Sequence, residues 1–148
     1  MDDEHWMRLA IVEAERASSL EEVPVGAVVV REDLILGRGY NRRETDRDPT
    51  AHAEILALRD AAEAHGSWRL DGVTMVVTLE PCLMCAGALV AARVAKVVFG
   101  AADPKAGACG SLYNFAVDPR LNHQVEVVAG VRAAEAGRLL TDFFSMRR

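Results

Sequence analysis

No apolar stretch of this sequence approaches the roughly 18 residues that a membrane-spanning helix needs. Residues 2–4 are all acidic, where a secretory signal would carry basic residues. Cysteine is also scarce, since Cys82, Cys85 and Cys109 are too few to form a disulfide framework. We therefore expect a cytoplasmic protein with no part inserted in a membrane, in which the Cys82–Cys85 spacing suggests metal or redox chemistry.

The sequence also lacks an excess of positive charge. Its 17 Lys and Arg residues are outnumbered by 22 Asp and Glu, which gives a net charge of −5. General electrostatic capture of nucleic acid depends on Lys and Arg, so any RNA binding must use a local patch. Arg42, Arg43 and Arg47 in one predicted loop, with Arg147 and Arg148 at the end of the chain, can form such a patch. Taken singly, each arginine is better explained as an ordinary solvated charge.

The composition fits a single globular domain over residues 1–148. Hydrophobic residues make up 51% of the chain and charged residues 26%, which is unlike a disordered protein. A chain of this length buries roughly 70% of the surface that its unfolded form exposes. It can therefore form one substantial core, and we expect no second domain.

Hydrophobic periodicity and turn residues predict alternating helices and strands. We expect helices over residues 3–19, 50–65, 81–92 and 132–146, and strands over residues 25–30, 34–40, 73–79, 96–99 and 125–129. Thr50 is the expected N-cap of the second helix, and Pro81 suits the first turn of the third. Residues 41–49 and 100–111 are expected loops, and residues 112–122 fit either a short helix or coil. This order predicts a sheet covered by helices, which is a three-layer α/β domain.

The strongest chemical signal is the pair His52 and Glu54 together with the C-x-x-C pair Cys82 and Cys85. Each motif is predicted to open a helix. Residues three apart on a helical turn face the same side, so both sulfurs can reach one ion. The helix N-terminus also favours the thiolate form that a metal requires. One imidazole and two thiolates are a suitable donor set for zinc.

Three protein donors leave one position of a tetrahedral Zn²⁺ site open, which is typical of catalytic rather than structural zinc. A water molecule in that position would have its pKa lowered toward neutrality. Glu54 lies two residues after His52, close to that position. We predict that it carries protons rather than binding the metal.

Other interpretations of these residues remain open at this point. A single C-x-x-C pair can be a redox couple or one half of a structural zinc site. A fourth protein ligand would close the coordination shell, and the candidates are Cys109, His5, His65 and His123. None of the four has a paired spacing typical of zinc modules. A thioredoxin-like redox couple would leave His52 and Glu54 without a role.

Several stretches of the sequence resemble a known family. They are VPVGAV at 23–28, DPTAHAE at 48–54, TLEPC at 78–82, MCAGA at 84–88, VFGA at 98–101, NH at 122–123 and DFF at 142–144. With the H-x-E and P-C-x-x-C signature among them, nearly the whole chain resembles the bacterial tRNA-specific adenosine deaminases of the cytidine deaminase superfamily. The resemblance implies a three-layer α/β/α fold with a five-stranded mixed sheet. It also implies a homodimer with one Zn²⁺ per subunit that converts adenosine to inosine at the wobble position of a tRNA anticodon.

The resemblance further implies roles for individual residues. His52, Cys82 and Cys85 would be the zinc ligands, and Glu54 would carry protons to the purine ring and its departing amine. Contacts to the anticodon stem-loop would come from Asn41, Ala53, Asp103, Lys105, Asn122, Phe143, Phe144 and Arg147. Aromatic residues at the end of an amphipathic helix are usually core, so Phe143 and Phe144 fit either role.

Two other functions fit the same motifs. A deaminase of free nucleosides or nucleobases, of the cytidine or guanine type, would use the same chemistry. Small-molecule cytidine deaminases typically show C-x-E where this chain has His52-Ala53-Glu54, and guanine deaminases lack the Asp-Phe-Phe ending. A non-catalytic zinc-binding protein would leave Glu54 unexplained beside an incomplete coordination shell. The motifs therefore favour the tRNA deaminase.

Overall fold

The computed structural model describes residues 1–147. Its helices are α1 (Asp3–Ser19), α2 (Ala53–His65), α3 (Leu83–Ala91) and α4 (Ala133–Ser145). Its strands are β1 (Gly26–Arg31), β2 (Leu34–Tyr40), β3 (Thr74–Leu79), β4 (Lys96–Ala101) and β5 (Glu126–Val128), and Phe115–Val117 form a short 3-10 helix. Among these described residues, no helix is both long enough and apolar enough to cross a membrane.

The strands form one five-stranded sheet in the order β2-β1-β3-β4-β5. β1 runs antiparallel to both of its neighbours, β2 and β3. β3, β4 and β5 run parallel to one another. The sheet is therefore mixed, and the predicted fold class is confirmed.

Successive residues along a strand belong in turn to two hydrophobic clusters, one on each face of the sheet. Ala27 and Val29 of β1 belong to the cluster formed with α2 and α3. Val28 and Val30 belong to the cluster formed with α1, and Leu139 of α4 packs at its margin. This alternation follows from the two-residue period of a strand. Helices thus cover both faces of the sheet and make three layers.

α2 packs unusually close to β2 because β2 carries glycine where it faces the helix. A Cβ atom at Gly39 would lie 2.3 Å from the carbonyl oxygen of Ala53, and one at Gly37 would lie 2.4 Å from that of Ala57. Any side chain at these glycines would push the helix away from the sheet. Since α2 begins directly after His52, this packing fixes the position of a potential metal donor.

Two helix starts differ from the sequence-based expectation. The N-cap of α2 is His52, so the predicted cap at Thr50 is wrong; the Thr50 hydroxyl donates to the Asp48 carboxylate instead, at 2.8 Å. The N-cap of α3 is Cys82, so Pro81 precedes the helix and does not lie in its first turn. His52 and Cys82 both have extended backbone and make no side-chain capping bond. Their side chains are therefore not engaged in capping and can approach each other.

The remaining boundaries differ by small amounts. β4 continues to Ala101, beyond its predicted end at residue 99, because its pairing with β3 extends to Leu79. β5 is one residue shorter at each end than the predicted strand over residues 125–129. Residues 112–122 contain the 3-10 helix, so they are mostly irregular.

Candidate metal centre and active site

Three potential metal donors meet where the N-termini of α2 and α3 approach each other. The Nδ1 atom of His52 lies 3.6 Å from Sγ of Cys82 and 3.5 Å from Sγ of Cys85. All three donor atoms lie within 4.8 Å of one another, and no other group of this kind occurs among residues 1–147. The sequence-predicted donors are therefore brought together, and they can hold a metal ion.

The spacing of the donors fits tetrahedral zinc. With Zn–S bonds of about 2.3 Å and Zn–N bonds of about 2.0–2.1 Å, tetrahedral angles place nitrogen and sulfur about 3.6 Å apart. The two distances from His52 to the cysteines match this value. Cys109, His5, His65 and His123 do not join the group. In the described part of the chain, none of them closes the coordination shell.

The donors alter one another's protonation. The hydrogen bond from Cys85, supported by the nearby His52 ring, lowers the pKa of Cys82 to about 4 against the effect of partial burial. The same hydrogen bond, together with burial, raises the pKa of Cys85. Binding of a divalent cation would require both thiols to be deprotonated, because the thiolate is the form that ligates a metal.

Glu54 lies in the first turn of α2, directly beside these donors. Its side chain is only 4% exposed, and burial raises the pKa of its carboxyl to about 7 because a charged carboxylate is poorly solvated there. The nearby Cys85 thiol favours the charged form of this carboxyl and partly opposes the rise in its pKa. A buried carboxyl in reach of a metal centre is well placed for proton transfer.

A cavity of about 190 Å³ opens onto the donors. The sequence-predicted site residues that line it are Asn41, His52, Ala53, Glu54, Cys82 and Asp103. The rest of its wall consists of Val23, Val25, Leu79 and Ala106, which are apolar, and of Arg43 and Glu80. Pockets for drug-sized ligands begin at about 300 Å³. This cavity therefore suits a single flat base better than a whole nucleotide.

Asn41 and Asp103 stand in different walls of the cavity, and each is held by its own loop. The Asn41 amide donates to the Val23 carbonyl at 3.2 Å and accepts from the backbone N–H of Arg43 at 3.1 Å. The Oδ1 atom of Asp103 accepts from the backbone N–H groups of Lys105 and Ala106, at 3.1 and 3.2 Å. Both side chains are thus oriented before any ligand binds.

The other predicted contact residues do not line the cavity. Lys105 and Asn122 are exposed beyond it. Phe143 is 7% exposed and belongs to the core, whereas Phe144 is 50% exposed. The Arg147 guanidinium lies 3.5 Å from the centroid of the Phe143 ring. Contacts from these residues to outer nucleotides remain predictions, and Arg148 lies outside the described residues.

The predicted arginine patch divides into engaged and available side chains. Arg42 is bound to both carboxylate oxygens of Asp46 at 3.1 Å and to the Tyr40 hydroxyl at 2.8 Å. Arg43 lines the cavity and is exposed, and Arg47 is exposed on the same loop. Among Arg42, Arg43 and Arg47, Arg43 is therefore the one that lines the cavity.

Sequence reasoning missed Glu22, which organises the loop that carries these arginines. Glu22 is 1% exposed. It accepts hydrogen bonds from the backbone N–H and the hydroxyl of Thr45, each at 2.6 Å, and from the backbone N–H of Glu44 at 3.2 Å. Burial opposes ionisation, but these hydrogen bonds outweigh it and lower the pKa of Glu22.

Glu80 is a second buried carboxylate that sequence reasoning missed, and it is 2% exposed. It accepts from the backbone N–H groups of Asp103, Cys109 and Ser111, each at 3.0 Å, and from the Ser111 hydroxyl. The signal in the sequence is an acidic residue set between apolar residues at a strand boundary. Such a residue is costly to bury without partners, so it indicates a loop that supplies them.

The fold and the site define a deaminase, and the chain belongs to the MafB19-like deaminase family, which matches residues 1–148. The tRNA-specific adenosine deaminase of Bacillus subtilis (strain 168) is 53% identical over 142 residues, which cover 96% of this chain and 88% of the relative. The resemblance inferred from the sequence is therefore confirmed.

Solved structures agree with this assignment. One, from studies of A-to-I editing by tRNA:A34 deaminases at the wobble position of transfer RNA, has a TM-score of 0.88 and 44% identity, and covers 92% of this chain and 99% of its own. The guanine deaminase from Nitrosomonas europaea has a TM-score of 0.83 and 26% identity, and covers 96% of this chain and 84% of its own. In both TM-score and sequence identity, the chain is more similar to the tRNA:A34 deaminase structure than to the guanine deaminase.

Proposed function

We propose that this protein is a zinc-dependent hydrolytic deaminase that converts adenosine to inosine at the wobble position of a tRNA anticodon. The observation that carries the proposal is the buried Glu54 carboxyl beside the His52, Cys82 and Cys85 donors at a base-sized cavity. A zinc ion with one His and two Cys ligands, next to a Glu that does not bind the metal, is the arrangement of nucleobase deaminases. Relatives named for tRNA support the choice of substrate.

His52, Cys82 and Cys85 would hold one Zn²⁺ per subunit. When bound, the ion would supply an open fourth position in which the pKa of a water molecule is lowered toward neutrality. The protein's own contribution is to place His52 and Cys82 at the N-caps of α2 and α3 and Cys85 in the first turn of α3. Both helices share one hydrophobic cluster with the sheet. Cys109, which lies outside the donor group, has no part in this site.

Glu54 would move the protons of the reaction. Water adds to the purine carbon that bears the amine, and Glu54 takes a proton from the water and passes it to the adjacent ring nitrogen. As the C–N bond breaks, the proton of the newly added hydroxyl passes through the same carboxyl to the departing amine, so that the carbonyl of inosine forms and ammonia leaves. The net reaction consumes adenosine and water and yields inosine and ammonia.

Asn41 would help to select the base. An Asn side chain offers two N–H donors and two acceptor lone pairs, and the contacts with Val23 and Arg43 use one donor and one lone pair. One N–H and one lone pair therefore remain to pair with a purine edge. Ala53, also in the cavity wall, adds no bulk beside the base.

We further propose that the protein is a homodimer and acts in the cytoplasm. Leu83 and Met84 of α3 and the nearby Leu112 and Tyr113 are exposed apolar residues. Cys82 bridges to Gly107, whose carbonyl also accepts from the N–H groups of Leu112 and Tyr113, so the four side chains lie in one region. A second copy of the chain would cover this patch, and sedimentation of Leu112→Arg beside the unmodified protein tests it. The cytoplasm would keep the thiol ligands reduced.

The test of the proposed function is inosine formation in an anticodon stem-loop with adenosine at the wobble position. The zinc-loaded protein is incubated with this RNA, and the nucleosides are then released and measured by mass spectrometry. Free adenosine, cytidine and guanine are assayed in parallel for ammonia release. We expect inosine at the wobble position and little ammonia from the free compounds. Ammonia from guanine with no inosine in the RNA would overturn the proposal in favour of a nucleobase deaminase.

A further inference from the structure

We propose that Glu80 is a positioning residue for substrate binding. Its carboxylate gathers the loop of residues 103–111 and so sets the place of Asp103 in the cavity wall. The proposal rests on the proposed function, because it takes Asp103 to contact the bound nucleotide. Glu80 itself acts through the loop and carries no proton in the reaction.

The carboxylate of Glu80 is the centre of the 103–111 loop. Its Oε1 atom accepts from the backbone N–H of Asp103 at 3.0 Å and from the Ser111 hydroxyl. Its Oε2 atom accepts from the backbone N–H groups of Cys109 and Ser111, both at 3.0 Å. No Lys or Arg forms an ion pair with Glu80 in the described part of the chain. The backbone N–H groups of the loop therefore stabilise the Glu80 carboxylate in place of a cation. Their hydrogen bonds hold both ends of the loop to this one group.

The loop wraps the carboxylate so closely that one of its residues must be glycine. A Cβ atom at Gly107 would lie 2.2 Å from the Cδ atom of Glu80. Beside this contact, the N–H of Ala108 donates to the Pro81 carbonyl at 2.8 Å, and Gly107 forms a bridge with Cys82. The loop is thus attached to the same short segment that carries the metal donor Cys82.

These contacts leave Asp103 little freedom. Its backbone N–H is held by Glu80, and its Oδ1 atom is held by the N–H groups of Lys105 and Ala106. Since Asp103 lines the cavity, its position relative to Cys82 depends on Glu80. The Glu80 carboxylate therefore links the position of Cys82 to the position of Asp103 in the cavity wall.

Glu80→Gln is the sharpest test because it conserves shape and cannot satisfy the loop. A glutamine has one carbonyl oxygen, and its NH₂ group must face either the N–H of Asp103 or the N–H groups of Cys109 and Ser111. A backbone N–H group can only donate, so the end of the loop that faces the NH₂ group loses its hydrogen bonds to residue 80. We expect KM for the anticodon stem-loop to rise roughly tenfold, the order expected for buried donors left without partners. kcat should change less than about threefold, and zinc content should be unchanged.

Two further measurements separate positioning from general loss of stability. Hydrogen exchange should accelerate in Glu80→Gln at the released end of the loop, either at the Asp103 amide or at the Cys109 and Ser111 amides. The matched variant Glu22→Gln, which alters the other loop, should leave all three amides unchanged. In a double-mutant cycle with Asp103→Ala, the two changes in KM should combine to less than their product, because both act on one contact. A purely structural Glu80 would give independent effects.

The proposal fails if Glu80→Gln leaves both KM and loop exchange unchanged, if it lowers kcat alone or removes zinc, or if the cycle shows independent effects. Ser111→Ala serves if Glu80→Gln does not fold, because it removes one donor and leaves three backbone bonds. It should raise KM about two- to fivefold and show the same coupling with Asp103→Ala. Failure of the proposed function is distinct, because the unmodified protein would then form no inosine in the stem-loop.

Discussion

The metal donors and the two loops that complete the cavity are held in place by different means. His52 and Cys82 occupy helix N-caps, and both helices share one hydrophobic cluster with the sheet. The loop of residues 41–50 and the loop of residues 103–111 have no regular structure, and each is gathered by one buried carboxylate. In the proposed function, the chemistry is thus built on helix ends, while recognition is built on loops that depend on a few hydrogen bonds. A mutation in the donor group and a mutation in a loop support should therefore have different effects on zinc content, turnover and KM.

Loss of a metal donor should give the largest effect. Cys82→Ala or Cys85→Ala leaves two protein ligands, which hold zinc poorly, so metal and activity should disappear together. Zinc is measured by elemental analysis and activity by inosine formation. Cys109→Ala is the matched control, since this cysteine lies outside the donor group, and it should keep both. A fall in zinc content on changing Cys109 would contradict the three-ligand centre.

Loss of Glu54 should separate the metal from the chemistry. Glu54→Ala and the isosteric Glu54→Gln remove the proton carrier but none of the donors, so we expect zinc to remain. Turnover should fall by at least about 10²-fold, as is typical for the loss of a general acid or base. Full turnover in either variant, or loss of zinc from Glu54→Gln, would show that Glu54 is not the proton carrier.

The difference between the donor group and the loops also explains which features could be predicted from the sequence. The donor group comes from two short motifs, so the proximity of His52, Cys82 and Cys85 could be predicted from the sequence. Their spacing alone left a redox pair and a closed zinc site open, and the proton-carrying role of Glu54 stays a prediction. The helix starts beside them were misplaced, because the residues that act as N-caps here are donors rather than the usual Thr or Ser. Local propensity cannot anticipate that substitution.

The loop supports could not be predicted because their partners are distant in sequence. Glu22 binds Thr45, which is 23 residues away, and Glu80 binds Ser111, which is 31 residues away. No periodicity connects such pairs. The register of the sheet brings them together, and that register is a property of the whole fold. For Glu80 the sequence does show an acidic residue between Leu79 and Pro81, which indicates a buried carboxylate without identifying its partner. Glu22 follows the acidic Glu21, so its neighbours give no such indication.

Loosening the 41–50 loop should have an intermediate effect. Glu22→Gln must turn its NH₂ group toward the N–H of Glu44 or of Thr45, which leaves a buried donor unpaired at a cost of roughly 1–3 kcal/mol. We expect Tm to fall by about 2–4 °C for each kcal/mol lost. KM for the stem-loop should rise several-fold with zinc retained, because Asn41 and Arg43 belong to this loop. Thr45→Val removes the hydroxyl donor alone and should give a smaller shift in calorimetry.

The smallest effect should come from Asp103→Asn, which changes the charge of the cavity wall without releasing its loop. An asparagine Oδ1 can still accept from the N–H groups of Lys105 and Ala106, so the local turn is kept. What is lost is a group that only accepts hydrogen bonds, and a ribose 2′-hydroxyl can satisfy that group whereas deoxyribose cannot. Bound DNA would leave the carboxylate unpaired near phosphates of the same charge, a penalty of about 1 kcal/mol or more.

Removing that penalty should lower the preference for RNA over DNA by about fivefold or more, since 1 kcal/mol corresponds to roughly that factor. The measurement compares inosine formed from RNA and DNA hairpins of the same loop sequence, at one fixed salt concentration because the phosphate contribution varies with salt. Asp71→Asn is the matched control: it changes the net charge by the same amount at an exposed residue paired with Arg69, outside the cavity wall. If both variants keep the ratio of the unmodified protein, Asp103 does not read the sugar. If both lower it equally, the discrimination reflects overall charge rather than a contact at the cavity.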